Sequence, residues 1–135
     1  MAGGPPVMRD ERSAEFFDAA ARSALAIRRC ADCWHWLEPE ARTCTSCGGS
    51  ELNWLDAIGT GELVSWSVVH HPPHPSFAGL VPFAVGQIEL AEGPWVEARL
   101  TELDLGALRV GLPLCVAFVH PDEGDAFPVF APDRG

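Results

Sequence analysis

Four cysteines form the pattern in this chain that most directly suggests chemistry. They occur as two Cys-x-x-Cys pairs with ten residues between them: Cys30, Cys33, Cys44 and Cys47. Two such pairs can direct four thiolates at one centre and complete a tetrahedral site. We expect structural zinc, because four sulfur ligands leave no open coordination position. Iron of the rubredoxin type accepts the same ligands. Disulfides are disfavoured in a reducing compartment.

A second group of reactive residue types lies in the stretch VVHHPPHPSF, residues 68–77. A metal site would need a further ligand, and the stretch contains no carboxylate. A catalytic base would need a nucleophile in a recognisable context, which the chain does not show. Prolines reduce the cost of ordering a binding loop, so the stretch favours a recognition surface. A rigid solvent-exposed loop without a role is the alternative. The residues concerned are His70, His71, His74 and Phe77.

The composition limits what these residues can do. The net charge of -10 would repel phosphate backbones and anionic membranes, so we expect neither nucleic acid nor membrane as a partner. The chain contains no lysine, which excludes a lysine Schiff base. No apolar run reaches the roughly 18 residues of a membrane helix. The N-terminal stretch lacks the apolar core of a secretory signal, and we therefore expect a cytoplasmic protein.

The elements that must position the cysteines come early in the chain. Helical spacing begins at Ser13, a candidate N-cap, and continues to Ala24. This helix carries Phe16 and Phe17 on one face, which the rest of the chain or a partner must cover. Residues 28–55 then form the metal ribbon. Its predicted minimal core, which the metal supplements, consists of Trp34, Trp36 and Trp54.

The second part of the chain has strand signals in series. Glycines at 59 and 61 are followed by predicted strands at 62–71, 82–91, 95–101, 113–120 and 126–130, with a helical turn within 103–110. This order is typical of a small closed barrel such as the OB-fold. We predict a mainly β chain with a loose segment at 1–12, helix and ribbon at 13–56, and a five-stranded barrel at 57–135. Trp66 and Trp95 should lie in the barrel core or at its rim, and Cys115 should be buried.

The succession of these motifs resembles the DUF35 family. The motifs are RRCADCWHW…TCTSCGG, GTGELVSWSVVHHPP, VPFAVGQIELAEGPWVEARL, RVGLPLCVAFV and FPVFAP, and the resemblance covers residues 13–132. Family members pair a rubredoxin-like zinc ribbon with an acyl-CoA-associated OB-fold. The chain departs from the family in two places. Trp34 stands where a glycine is frequent, and residues 38–42 replace a Pro-Pro-Arg stretch.

The resemblance implies a non-catalytic accessory subunit of a thiolase-superfamily enzyme that acts on acyl-CoA. The HHPPHPSF loop is similar to the steroid side-chain aldolase subset, so we expect a lipid-transfer-protein-like retro-aldolase as partner, in a heterotetramer. A thiolase or hydroxymethylglutaryl-CoA synthase is the alternative partner. A zinc-ribbon OB-fold that binds nucleic acid is the alternative class, which the charge disfavours. The predicted contacts with the partner or its CoA thioester are Phe16, Phe17, Trp66, His70, His71, His74 and Phe77.

Overall fold

The computed structural model describes residues 13–72, 74–75 and 78–133. The predicted loose segment 1–12 and the candidate residue Phe77 lie outside the described residues. Helix α1 spans Ala14–Ala21 and is followed by three short strands, β1 (Ala26–Cys30), β2 (Trp36–Leu37) and β3 (Leu52–Asp56). Five longer strands then follow: β4 (Thr60–Val69), β5 (Phe83–Leu90), β6 (Trp95–Leu100), β7 (Pro113–Val119) and β8 (Phe127–Pro132). A 3₁₀ turn, Leu105–Ala107, separates β6 from β7. The prediction of a mainly β chain with one N-terminal helix is confirmed.

Helix α1 begins where the sequence predicted, but its first turn is built differently. The amide of Phe17 donates to the carbonyl of Ser13 over 3.0 Å, whereas the Ser13 hydroxyl makes no capping hydrogen bond. The helix ends at Ala21, because Ser23 adopts a left-handed conformation with φ of 60°. None of the helices in the described ranges is long and apolar enough to span a membrane.

The ribbon is a three-stranded antiparallel sheet in the order β2-β1-β3. Its own buried cluster consists of Cys30, Leu37, Ala41 and Cys44, with Leu52 against it. The predicted three-tryptophan core is wrong. Trp34 is 66% exposed, and Trp36 packs against the core of the barrel. Half of the ribbon's buried cluster therefore consists of cysteines, so its cohesion depends on what those sulfurs bind.

The five longer strands form a closed barrel in the order β4-β5-β6-β8-β7. Strands β6 and β8 are parallel, and β4 closes the barrel by antiparallel pairing with β7. This arrangement confirms the predicted OB-fold. Strand β4 ends at Val69, so His70 and His71 lie in the loop beyond it and not on opposite faces of its last residues.

The barrel core follows the alternation that the sequence showed. In β5, Ala84, Ile88 and Leu90 are buried at alternate positions. Phe130 and Leu114, from β8 and β7, are completely buried. The same cluster includes Leu25 and Ile27 at the start of the ribbon. The predicted division at 56/57 therefore stays a prediction, and the hydrophobic core extends across it.

The exposure of three residues bears on the predictions that were made for them, Trp66 and Trp95 in the barrel core or at its rim and Cys115 buried. Trp95 on β6 is 51% exposed, and Trp66 on β4 is 37% exposed. Both lie on the surface, where each presents a large apolar face. Cys115 on β7 is half-buried and not fully enclosed. The exposure of Trp66 and Trp95 excludes the core for both, and their alternative position at the rim of the barrel stays a prediction.

Candidate metal centre and contact surfaces

The four predicted ligand cysteines converge on one point. Their Sγ atoms all lie within 4.8 Å of one another. The Sγ atoms of Cys30 and Cys47 are 3.6 Å apart, and those of Cys33 and Cys44 are 3.5 Å apart. A tetrahedral ion with metal–sulfur bonds of about 2.3 Å would place its ligand sulfurs about 3.8 Å apart. A disulfide requires about 2.05 Å. The donor set therefore fits one four-coordinate metal ion and no disulfide.

Backbone amides support the sulfurs. Ser46 N lies 3.3 Å from the Cys44 sulfur and Gly49 N lies 3.4 Å from the Cys47 sulfur, and both donate. A Cβ at position 49 would lie 2.8 Å from the Asp32 carboxylate and 3.3 Å from the Cys47 sulfur. Glycine at this position therefore lets the backbone approach the thiolates closely. Amide donors at sulfur stabilise the thiolate form that a metal requires.

The electrostatics of the cluster indicate that it needs a cation. Burial alone would raise the pKa of Cys44, but the amides of Cys47 and Ser46 and the neighbouring thiols lower it to about 7. The amide of Gly49 acts in the same direction on Cys47, yet the thiols of Cys30 and Cys33 raise the pKa of Cys47 to about 12. Four negative sulfurs at this spacing would repel one another. A divalent ion removes that repulsion and deprotonates the remaining thiols.

The two Cys-x-x-Cys knuckles have the same backbone geometry but differ in one side chain. Trp34 N donates to Cys30 O over 2.9 Å, and Gly48 N donates to Cys44 O over 2.7 Å. Trp34 has φ of 68° and Gly48 has φ of 79°, so both occupy the left-handed region. Glycine adopts this conformation freely. A tryptophan there costs about 1 kcal/mol.

Contacts with Arg29 partly offset the strain at Trp34. The guanidinium of Arg29 lies 5.0 Å from the ring centroid of Trp34 and 4.5 Å from that of Trp36. Arg29 Nε donates to the carbonyl of Trp34 over 2.8 Å. An exposed cation–π contact contributes about 0.5–1 kcal/mol. This gain roughly equals the backbone strain, so the stability of the chain does not account for a tryptophan at position 34.

A cleft, here called the ribbon cleft, lies between these rings and the β5–β6 turn. It has a volume of about 310 Å³. Glu92 in that turn accepts a hydrogen bond at Oε2 from Ile58 N over 2.7 Å. Its Oε1 atom is buried and has no hydrogen-bond partner among the described residues. The lining residues used below are Trp34, Trp36, Glu38, Glu92 and Pro94.

A larger groove, the helix groove, lies between α1 and the ribbon and has a volume of about 660 Å³. The rings of Phe16 and Phe17 meet edge to face, with centroids 5.2 Å apart. Arg28 lies 4.4 Å from the ring centroid of Trp54, and burial lowers the pKa of its guanidinium. Arg28, like Arg29, thus lies on a tryptophan ring. The lining residues include Phe16, Phe17, Arg28, Arg42 and Trp54.

The histidine loop, defined here by His70, His71 and His74, comes directly after β4. None of these three histidines lines the helix groove. His70, His71 and His74 are all exposed. None of them belongs to the metal-ligand cluster found among the described residues. Trp66 lies on β4 a few residues before the loop. The assignment of Phe16, Phe17, Trp66 and the three histidines to a partner interface stays a prediction.

Sequence reasoning missed the paired stack of Arg29 on Trp34 and Trp36. The signal was present, because Trp34 was already noted as a departure from the glycine frequent in the family. What the sequence could not show was that β1 and β2 pair in a register that sets Arg29 opposite Trp36.

Comparison with known proteins identifies relatives of this chain. A family model described as the ChsH2 C-terminal OB-fold domain matches residues 54–119. A probable enoyl-CoA hydratase alpha subunit of Thermomonospora curvata is 34% identical over 128 residues, which are 95% of this chain and 39% of that protein. A DUF35 domain-containing scaffold protein of Pyrococcus furiosus is 30% identical over 78 residues, which are 58% of this chain and 57% of that protein. The chain thus spans well under two thirds of the length of either relative.

Two solved structures share the fold over nearly the whole chain. A structure described as the Ltp2-ChsH2(DUF35) aldolase is 34% identical, with a TM-score of 0.79 over 96% of this chain and 98% of that one. A DUF35-family protein of unknown function from Sulfolobus solfataricus is 12% identical, with a TM-score of 0.61 over 91% of this chain and 86% of that one. The second likeness supports the fold alone.

Proposed function

The chain belongs to the DUF35 family, and from that premise we propose that it is an accessory subunit of an acyl-CoA aldolase or hydratase complex. The observation that carries the proposal is the likeness to the Ltp2-ChsH2(DUF35) aldolase, at 34% identity over 98% of that chain. The scaffold-protein relative of Pyrococcus furiosus supports a role in assembly and not in catalysis.

The more specific proposal is a thiolase-fold retro-aldolase partner that acts on a steroid side-chain acyl-CoA. A retro-aldol step breaks the bond between the α and β carbons of a β-hydroxyacyl thioester. A base removes the proton of the β-hydroxyl group, and the β carbon leaves as a carbonyl compound. The electron pair of the broken bond stays on the α carbon as an enolate, which needs hydrogen-bond donors and a proton source. In this proposal the partner supplies those groups. The present chain supplies no catalytic residue.

The contribution of this chain is structural and interfacial. We assign zinc to the four-cysteine centre, because a closed set of four thiolates is the usual ligand set of structural zinc. The helix groove and the histidine loop offer aromatic and imidazole surface of the kind that protein interfaces use. The histidine loop forms one wall of the acyl-CoA path in the complex. Support for this placement comes from the exposure of His70, His71 and His74 and from the likeness to the aldolase structure.

Co-expression tests the proposal directly. The chain would be produced together with an Ltp2-type subunit, and the complex would be measured by size-exclusion chromatography with light scattering. We expect a stoichiometric hetero-oligomer that cleaves β-hydroxyacyl-CoA, and an isolated chain without that activity. Cleavage by the isolated chain, or failure of the two proteins to associate, would contradict the proposal.

Variants in the histidine loop test the placement of the surface. A His70→Ala/His71→Ala double variant should keep its thermal stability, since both side chains are exposed, and should bind the Ltp2-type subunit more weakly. Val110→Ala is a suitable control, because Val110 is 72% exposed on another loop. Equal binding by both variants and the wild type would remove the histidine loop from the interface.

A second candidate is an accessory role in acyl-CoA hydration. The observation that favours it is the 34% identity with the probable enoyl-CoA hydratase alpha subunit, of which the chain matches 39%. Hydration of an enoyl-CoA by the purified complex, monitored by loss of the conjugated thioester absorbance, would support this candidate. A complex that cleaves but does not hydrate would exclude it.

A further inference from the structure

We infer that Trp34, Arg29 and the ribbon cleft form a docking site for a polypeptide segment of the partner subunit. The segment presents a carboxylate to Arg29 and an apolar side chain to the tryptophan rings. This inference rests on the proposed function, because it adds the ribbon cleft to the surfaces of this chain that contact the partner.

The first observation is the difference between the two knuckles. They share the same hydrogen bond and the same left-handed backbone, yet one carries Gly48 and the other Trp34. Trp34 is 66% exposed and rests on Arg29, so its ring buries little against the chain itself. A large exposed aromatic residue held in a strained conformation is the kind of side chain that dominates binding energy at protein interfaces.

The second observation concerns the charge of Arg29. Two tryptophan rings and the carbonyl of Trp34 fix its guanidinium. Within the described ranges no carboxylate forms a salt bridge with it. A rigid arginine between aromatic rings loses little conformational entropy when it binds a carboxylate. The cation is therefore prepared for an acidic group from outside the chain.

The third observation is the acidic lining of the cleft. Glu38 and Glu92 line it together with Trp34 and Trp36, the two rings on which Arg29 lies. A phosphate or nucleotide that reached Arg29 across these rings would also meet the two carboxylates. A polypeptide can place one acidic side chain at Arg29 and fill the cleft with an apolar side chain.

Two variants at position 34 separate docking from folding. Trp34→Ala removes the ring and keeps the strain, whereas Trp34→Gly removes both. We expect both variants to retain one metal ion per chain, and Trp34→Gly to melt at a higher temperature than Trp34→Ala. Both should bind the Ltp2-type subunit at least about tenfold more weakly than the wild type in biolayer interferometry. Trp34→Phe should recover part of the affinity.

The charge of Arg29 is tested by salt dependence. Wild-type affinity should fall as NaCl is raised, and Arg29→Gln should show lower affinity with a weaker salt dependence. Wild-type affinity in both Trp34 variants, or an unchanged salt dependence in Arg29→Gln, would overturn the docking site while leaving the proposed function intact. Failure of the wild-type chain itself to bind would overturn both proposals.

Discussion

The ribbon and the barrel are held together in different ways. The barrel has a cluster of large apolar side chains and a sheet that closes on itself, so its strands have hydrogen-bonded neighbours on both sides. The ribbon has three short strands and a buried cluster in which two of four members are cysteines. A core that small cannot offset the entropy of ordering its segment. We therefore expect a metal ion at the four cysteines to be part of the fold of the ribbon, whereas the barrel should not require it.

The barrel and the ribbon also differ in how far folding explains their surface residues. In the barrel, the positions that face inward are apolar and those that face outward are mixed, as its hydrogen-bonded register requires. In the ribbon, the knuckle geometry tolerates glycine at both left-handed positions, yet one of them carries Trp34. The ribbon, which we expect to depend on a metal, thus also carries Trp34, the side chain that the stability of the chain explains least.

Removal of the metal should produce the largest difference in stability between the ribbon and the barrel. Cys44→Ser should lose the metal, which in zinc-finger peptides contributes an apparent free energy of about 10–16 kcal/mol to folding. We expect amide hydrogen exchange to become fast throughout β1–β3 and to remain slow in β5 and β8. Mass spectrometry of exchanged peptides and metal analysis would measure both.

Cys115→Ser provides the matched control for this change. Cys115 lies on β7, outside the four-cysteine cluster, so the variant should retain one metal ion and unchanged exchange in the ribbon. If Cys44→Ser kept its metal and the protection of residues 26–56, the proposed dependence of the ribbon on the metal would be wrong.

A core substitution in the barrel should produce the next largest effect. Phe130 is completely buried, and Phe130→Ala should lower the free energy of unfolding by about 3–5 kcal/mol because it leaves a cavity. Phe118→Ala, at a half-buried position on β7, should cost less. Urea unfolding followed by circular dichroism gives both values. The metal content of the folded Phe130→Ala variant should stay at the wild-type level. A coupled loss of metal would show that the barrel also supports the ribbon through Leu25 and Ile27.

The sequence predicted those parts of the molecule that depend on local spacing. The knuckles were predictable because thiolate geometry fixes the spacing of Cys30 and Cys33 and of Cys44 and Cys47. The barrel strands were predictable because one face is buried, which imposes alternation, as in β5. Most strand boundaries were within two residues of those observed.

Features that depend on long-range contacts were not predictable. Strand β1 does not alternate in burial, and no local pattern indicates that Ile27 joins the barrel core and not the ribbon's own cluster. The exposure of Trp34 and the stack on Arg29 depend on the cross-strand register of β1 with β2. The Ser13 hydroxyl makes no cap because the turn geometry at the start of α1 differs from the usual extended N-cap conformation.

The smallest expected effect concerns the ion pair that joins the end of α1 to the end of β3. Arg22 donates to both carboxylate oxygens of Asp56, over 2.8 and 2.9 Å. The hydrogen bonds from Arg22 lower the pKa of the Asp56 carboxyl below its usual value. A carboxyl whose pKa is lower in the folded state stabilises the fold at neutral pH, and this contribution is lost as the pH falls through the folded pKa. Both side chains are exposed, so solvent screening keeps the contribution small.

Asp56→Asn should therefore lower the unfolding free energy only slightly at pH 7. The difference from the wild type should shrink towards zero as the pH falls below about 4, near and below the usual pKa of an aspartate. Urea unfolding at pH 7 and pH 3 measures this change, with Glu123→Gln on an exposed turn as the control. A difference at pH 3 as large as the difference at pH 7 would show that Asp56 acts through packing and not through its charge. A cost as large as that of Phe130→Ala would mean that a surface contact, and not the metal alone, holds the helix and ribbon in place.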